Sequence, residues 1–195
     1  MKSKIILIMI MASIAISCKG RQESANPAQS VDSLAAASDS VTADSRGYIV
    51  AVGDMAPDFE IEYPGGKKVM LSSFKGKVVM LQFTASWCGV CREEMPFIEK
   101  DIWQKHKNNN SFVLLGIDYK ETPEVAAKFA KDIKITYPLT LDRDGSRFNL
   151  FCGPDAGVTR NIIIDREGKI IMLTRLYEEA EFAEMVKLID AELKK

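Results

Sequence analysis

One stretch constrains this chain more than any other. Trp87-Cys88-Gly89-Val90-Cys91 lies between an apolar run, Lys77 to Thr84, and a segment with helical periodicity. Cysteines three apart stand about one helical turn apart, so their sulfurs reach disulfide distance with little strain. The first turn of a helix offers unbonded backbone N–H groups and the positive end of the dipole, and both favour a thiolate. The thiolate is the form that attacks a disulfide. Strand, CxxC and helix in that order are what dithiol–disulfide exchange requires. A purely structural disulfide is the competing reading, but it would close a tiny loop and constrain the unfolded chain little. A zinc site would need two more ligands, and beyond the N-terminal segment only Cys152 and His106 remain among the cysteines and histidines.

The charge balance excludes other classes. The 195 residues carry 26 Lys and Arg against 27 Asp and Glu, a net charge of −1. The signs are mixed along the chain, which gives no field for nucleic acid. A single histidine, His106, excludes most His-based acid–base machinery, and its setting between Lys105 and Lys107 reads as solvated.

The N-terminus reads as an export signal. Lys2 and Lys4 precede an apolar run from Ile5 to Ile16, too short to span a bilayer stably. Ala15-Ile16-Ser17-Cys18 follows and resembles a bacterial lipoprotein cleavage box. The resemblance implies removal of residues 1–17 and lipidation of Cys18. An ordinary signal peptide with an incidental cysteine is the alternative. Lys19 rather than Asp after the cysteine favours the periplasmic face of the outer membrane. Residues 18–47 are Ser, Ala, Asp, Gln and Asn with almost no large apolar side chains, and read as a disordered tether spanning about 30 Å. The globular domain is expected over 48–195.

Within that domain, Asp58–Tyr63 and Lys67–Leu71 flank Pro64-Gly65-Gly66 and predict a hairpin. Val78–Phe83 is apolar throughout except Gln82, as expected of a central strand covered on both faces. A helix is expected from Gly89 to His106, kinked at Pro96. Then come a strand over Phe112–Ile117, a helix capped by Thr122 with Pro123 in its first turn, and a short strand over Tyr137–Leu141. A short helix is expected over Asp144–Cys152. A second hairpin spans Asn161–Thr174 and a final helix runs from Glu178 to Leu193 with Phe182, Met185, Ile189 and Leu193 on one face. The order predicts an α/β sheet covered by helices.

Several spaced motifs together resemble the TlpA/ResA-type branch of the thioredoxin-like (redoxin) superfamily. They are Gly53-Asp54-Met55-Ala56-Pro57-Asp58-Phe59, Leu71-Ser72-Ser73-Phe74-Lys75-Gly76-Lys77, Phe83 to Pro96 around the CxxC, and Gly157-Val158-Thr159-Arg160-Asn161 to Asp165. The resemblance covers about residues 50–195. It implies a thioredoxin fold with an N-terminal β-hairpin extension and a central αβ insertion. It also implies membrane-tethered thiol–disulfide exchange with extracytoplasmic protein substrates, served by an upstream membrane electron donor and using no cofactor or metal beyond the Cys88–Cys91 pair.

Cys88, nearest the helix N-terminus, is expected to be the nucleophile, and Cys91 the resolving thiol that releases the reduced substrate. Glu94 lies one turn beyond Cys91 and matches the family's glutamate after the CxxC; the resemblance implies that it tunes a thiol or relays a proton. Gln82 stands where plain thioredoxin keeps a buried acid, which leaves Glu94 as the nearby acid. The family's cis-proline, which faces the CxxC and shapes the groove for substrate backbone, is replaced by Thr159. Trp87, Val158, Thr159 and Arg160 form the expected substrate-binding set, with Trp87 over the dithiol or packed in the core and Arg160 against substrate or an acidic partner. Cys152 reads as a buried apolar cysteine or, alternatively, as a third thiol near the site. A peroxiredoxin-like thiol peroxidase is the rival enzyme, weakened because Ala85 occupies the position where that chemistry needs threonine. A binding module with a locked disulfide is the non-catalytic rival.

Overall fold

The computed structural model describes residues 46–195. The expected signal segment, Cys18 and most of the expected tether lie outside them. Among the described residues no helix is long and apolar enough to cross a membrane. Arg46 and Gly47, expected at the end of the tether, already pack on the domain: the Arg46 guanidinium donates to the Leu173 carbonyl and pairs with Glu181.

The centre is a seven-stranded sheet in the order β2-β1-β5-β4-β3-β6-β7. The strands are β1 (Glu60–Glu62), β2 (Lys68–Met70), β3 (Val78–Thr84), β4 (Phe112–Tyr119), β5 (Leu139–Asp142), β6 (Arg160–Ile164) and β7 (Ile170–Leu173). β3, β4 and β5 run parallel, and β6 pairs antiparallel with β3. Every residue of β3 is buried, which explains why it is apolar apart from Gln82 and Thr84. Both expected hairpins form, β1–β2 and β6–β7, the latter with a bulge between Ile163 and Ile164.

Helix α1 (Gly89–Ile98) continues through a π-helical stretch, Glu99–Trp103, into the last turn α2 (Gln104–His106). The irregularity follows Pro96, whose ring removes one N–H from the ladder; the Glu99 N–H is then shared between the Met95 and Pro96 carbonyls. Helix α3 (Pro123–Ile133) starts where the Thr122 hydroxyl accepts the Val125 N–H and ends at Lys134 in the left-handed region. Helix α4 (Glu179–Glu192) is capped by the Glu178 carboxylate. The helix expected over Asp144–Cys152 shrinks to one 3-10 turn at Phe148–Leu150, because the Asp142 carboxylate takes the Arg147 and Phe148 N–H groups and shapes a loop instead.

Two aromatic groups close the core. Phe83 lies edge-on against Phe148, whose neighbour Phe151 also meets Phe59. Phe97 of α1 stacks on Tyr177, and both rings meet Phe182 of α4. The α2–α4 seam corrects the reading of His106. Its ring is mostly covered, bonded through Nε2 to Asp190 at 2.7 Å and edge-on to Phe112, rather than solvated.

Candidate active site

The cysteine pair sits at the C-terminal end of β3. Cys88 is the N-cap of α1, with extended backbone (φ −86°, ψ 111°), and its Sγ accepts the Cys91 N–H at 3.2 Å. One of the orphan donors of the helix end is therefore aimed at this sulfur. The two cysteines form a disulfide with Cα atoms 5.3 Å apart. Cys88 retains 9% exposure while Cys91 has none, so an incoming molecule meets Cys88 first.

The loop before the pair is held from two sides. Ser86 donates both its N–H and its hydroxyl to the Glu121 carboxylate, each at 2.6 Å. Arg92 donates to the Ser86 carbonyl at 2.7 Å and lies over the Phe129 ring. Trp87 is 64% exposed, which excludes the core-packing alternative. The Thr84 hydroxyl meets the Met95 sulfur, 3.1 Å away.

Thr159 faces the disulfide. No peptide bond among the described residues is cis, so the Val158–Thr159 bond is trans. The Thr159 hydroxyl lies 3.1 Å from Cys88 Sγ and 2.9 Å from Cys91 Sγ, fully buried, and its carbonyl accepts the Leu176 N–H. Val158 is buried beside it.

Glu94 is buried one turn beyond Cys91 and belongs to a polar network inside the apolar core. Asn161 Nδ2 donates to Glu94 Oε1 at 2.6 Å, and Gln82 Nε2 lies 3.3 Å from Oε2. The Tyr137 hydroxyl donates to Gln82 Oε1 at 2.7 Å, and Asn161 also reaches Thr174. Burial pushes the Glu94 carboxyl up to about 7 against the pull of the Asn161 and Gln82 amides, so it exchanges its proton near neutral pH. Gly116 makes room for this arrangement: a Cβ there would lie 2.7 Å from Leu139 Cδ1 and 3.3 Å from the Tyr137 ring. Asn161 escaped the sequence reading. Its signal was present, a lone amide directly before the aliphatic run Ile162–Ile164 of β6, in register with the equally anomalous Gln82.

Glu94 is not the sole acid in this region. Asp118, the penultimate residue of β4 and in register with Thr84, is buried, and its carboxyl oxygens meet no N–H or hydroxyl donor. Burial, reinforced by the charge of neighbouring Glu121 and by a hydrogen bond to that carboxylate, pushes it up to about 8. Glu121 in turn holds Ser86, so a second carboxyl pair adjoins the loop that carries the cysteines.

Arg160 requires correction as a substrate contact. It is 1% exposed, donates to the carbonyls of Gly157 and Arg46, and places its guanidinium 4.5 Å from the centre of the Tyr48 ring. The alternation of strand side chains turns it away from the face that carries Thr159 and Asn161. Cys152 is a buried free thiol bridged through its backbone to Tyr48, and burial raises its pKa to about 11. Among the described residues no group of three or more His, Cys, Asp or Glu side chains is arranged to hold a metal ion.

The family model described as Redoxin matches residues 51–189. The chain is 31% identical over 123 residues to the thiol-disulfide oxidoreductase ResA of Bacillus thuringiensis subsp. konkukian, a match covering 62% of this chain and 67% of that protein. With the ResA of Bacillus subtilis the identity is 27% over 141 residues, 72% of this chain and 76% of that one. Among solved structures, a Bacteroides thetaiotaomicron protein provisionally described as a protein disulfide isomerase is 61% identical, with a TM-score of 0.74 over 76% of this chain and 94% of that chain. A Chlorobium tepidum protein provisionally described as thiol:disulfide interchange protein DsbE is 29% identical, with a TM-score of 0.65 over 74% and 99%. The mixed sheet and its helices are thus a thioredoxin-like fold.

Proposed function

This chain belongs to the Redoxin family, and on that footing we propose that it is a thiol–disulfide oxidoreductase working as a disulfide reductase on proteins outside the cytoplasm. The observation that carries this reading is the Cys88–Cys91 disulfide at the start of α1, with the more accessible sulfur at the N-cap. The relatives named thiol-disulfide oxidoreductase ResA support the chemistry.

In the reduced protein the Cys88 thiolate attacks one sulfur of a substrate disulfide. A mixed disulfide forms and the other substrate sulfur leaves as a thiolate that takes up a proton. Cys91 then loses its proton and attacks Cys88 Sγ, which releases the second substrate sulfur. The substrate gains two electrons and two protons, and the enzyme is left oxidised at Cys88–Cys91. A dithiol donor at the membrane must reduce it again. The buried Glu94 carboxyl, raised to about 7, is suited to accept the Cys91 proton in the second step. The reaction draws on no cofactor beyond the two cysteines. Trp87, beside Cys88, offers exposed aromatic surface for substrate docking.

The export signal, the lipobox-like Ala15-Ile16-Ser17-Cys18 and the polar tether support attachment to the outer membrane through lipidated Cys18, with the domain in the periplasm. A reducing direction is favoured because an exported dithiol needs a dedicated donor to stay reduced, and such a donor serves a reductase.

The test is trapping in the native envelope. Cys91→Ser should hold substrates on Cys88 as mixed disulfides that dithiothreitol releases. If Cys88→Ser captures partners and Cys91→Ser captures none, the assignment of nucleophile is wrong.

A further inference from the structure

The position that faces the cysteines in this fold is occupied by a hydroxyl that touches both sulfurs, 3.1 Å from Cys88 Sγ and 2.9 Å from Cys91 Sγ. The hydroxyl carries one proton, so it donates to one sulfur at a time. Disulfide sulfurs are weak acceptors, whereas a thiolate receives a charge-assisted bond roughly twice as strong as a neutral one. The site is fully buried at Thr159 and Cys91, where water does not compete for the sulfur. A proline here has no hydroxyl to donate.

Building on the oxidoreductase reading, we propose that Thr159 is a catalytic residue whose hydroxyl stabilises whichever sulfur carries the negative charge. It serves Cys88 in the resting dithiol and Cys91 once Cys88 is tied up in the mixed disulfide. The trans peptide at Val158–Thr159 and the bond from the Leu176 N–H to the Thr159 carbonyl fix the residue in this place. In the reduced state the bond favours the dithiol over the disulfide, so this residue sets the redox poise of the pair. In the mixed disulfide it lowers the barrier to resolution by easing ionisation of the wholly buried Cys91.

The test compares Thr159→Val, which keeps the shape and deletes the hydroxyl, with Thr159→Ser, which keeps the hydroxyl. Other ionisable groups around the pair are common to all three proteins: Glu94, Arg92 and Glu93 on α1, Asp118 in β4 and Glu121 just beyond it, Glu181 on α4, and Arg160, which points away. Titration of thiolate absorbance at 240 nm should show the Cys88 pKa about one unit higher in Thr159→Val, a tenfold change in ionisation. In glutathione buffers at a pH where Cys88 is ionised in both proteins, the dithiol–disulfide equilibrium should shift about tenfold towards the disulfide, about 30 mV more negative. Resolution of a thionitrobenzoate mixed disulfide on Cys88 should slow about threefold at neutral pH, since a tenfold smaller thiolate fraction is partly offset by greater nucleophilicity. Thr159→Ser should return all three readouts to within about twofold of the unmodified protein. A folded Thr159→Val protein with an unchanged Cys88 pKa, or a serine variant that behaves like valine, overturns the proposal. Failure of the unmodified protein to exchange its disulfide with glutathione would instead overturn the oxidoreductase reading, and the 240 nm titration would still decide the role of Thr159.

Discussion

Glu94→Gln gives a test of the buried network that does not depend on any substrate. The Glu94 carboxyl titrates at about 7 in the folded protein against an ordinary value of 4.5. An acid whose pKa is raised by folding binds more protons in the native state between those two values, so stability falls as pH rises through that window. Below pH 4.5 both states are protonated and the residue imposes no electrostatic penalty. Above pH 7 both are ionised and the folded state carries the full penalty. A difference of about 2.5 units at 1.36 kcal/mol each amounts to roughly 3 kcal/mol. Glutamine keeps the shape and the acceptor for Asn161 Nδ2 but sets its own amide against Gln82 Nε2, which already uses its oxygen for Tyr137. One compromised hydrogen bond costs about 1 kcal/mol. Glu94→Gln should therefore destabilise the protein by about 1 kcal/mol at pH 4.5 and stabilise it by about 2 kcal/mol at pH 8. The measurement is urea unfolding of the oxidised protein at half-unit steps from pH 4.5 to 8.5, where the disulfide keeps Cys88 and Cys91 from titrating. Asp118 titrates in both proteins and cancels in the difference so long as the two sites act independently. A difference in stability that stays constant across the range would refute the account of Glu94 as a carboxyl held neutral by burial.

Two further substitutions probe features that the sequence concealed. Arg160→Met removes two hydrogen bonds to the Gly157 and Arg46 carbonyls and the contact with the Tyr48 ring, and should lower stability by about 3 kcal/mol in urea; a loss below about 1 kcal/mol would show that Arg160 is not structural. Asp118→Asn removes a buried carboxyl that has only Glu121 as partner and whose pKa is raised to about 8, so stability relative to the unmodified protein should rise as pH climbs from 5 to 9, and a flat or falling difference in urea unfolding would contradict the assignment.

What the sequence disclosed was local. The CxxC pair, its strand and its helix are contiguous, and hydrophobic period alone places β3, β4 and α4. Glu94 was legible because it lies on the same helix as Cys91. What stayed hidden depends on contacts between distant segments. His106 reads as solvated from its lysine neighbours, and only the packing of α2 on α4, 84 residues away, gives it Asp190. The Asp118–Glu121 pair looks like an ordinary strand end until Ser86 from another strand's loop closes on it. The loop at Asp144–Cys152 has helical composition, yet the Asp142 side chain diverts its N–H groups.

The misreading of Arg160 and the oversight of Asn161 have one cause. Side chains of an extended strand alternate between its two faces. In the register of β6 on β3, Asn161 stands opposite Gln82 and Arg160 opposite Phe83. Gln82 faces α1, where Glu94 lies, and Phe83 faces Phe148 and Phe151. Once Thr159 is known to face the sulfurs, the residue two further on must share its face and the residue between must not. The same alternation that sends Arg160 beneath Tyr48 brings Asn161 onto Glu94. Thr159, just before β6, and Asn161 within it therefore meet the two polar groups of α1, the first the sulfurs and the second the carboxyl. A register slip of one residue would withdraw both together and present Arg160 to the disulfide instead. The identity of the site thus rests on the β3–β6 pairing as much as on the CxxC motif, because the pairing decides which groups meet the charge that forms on Cys91.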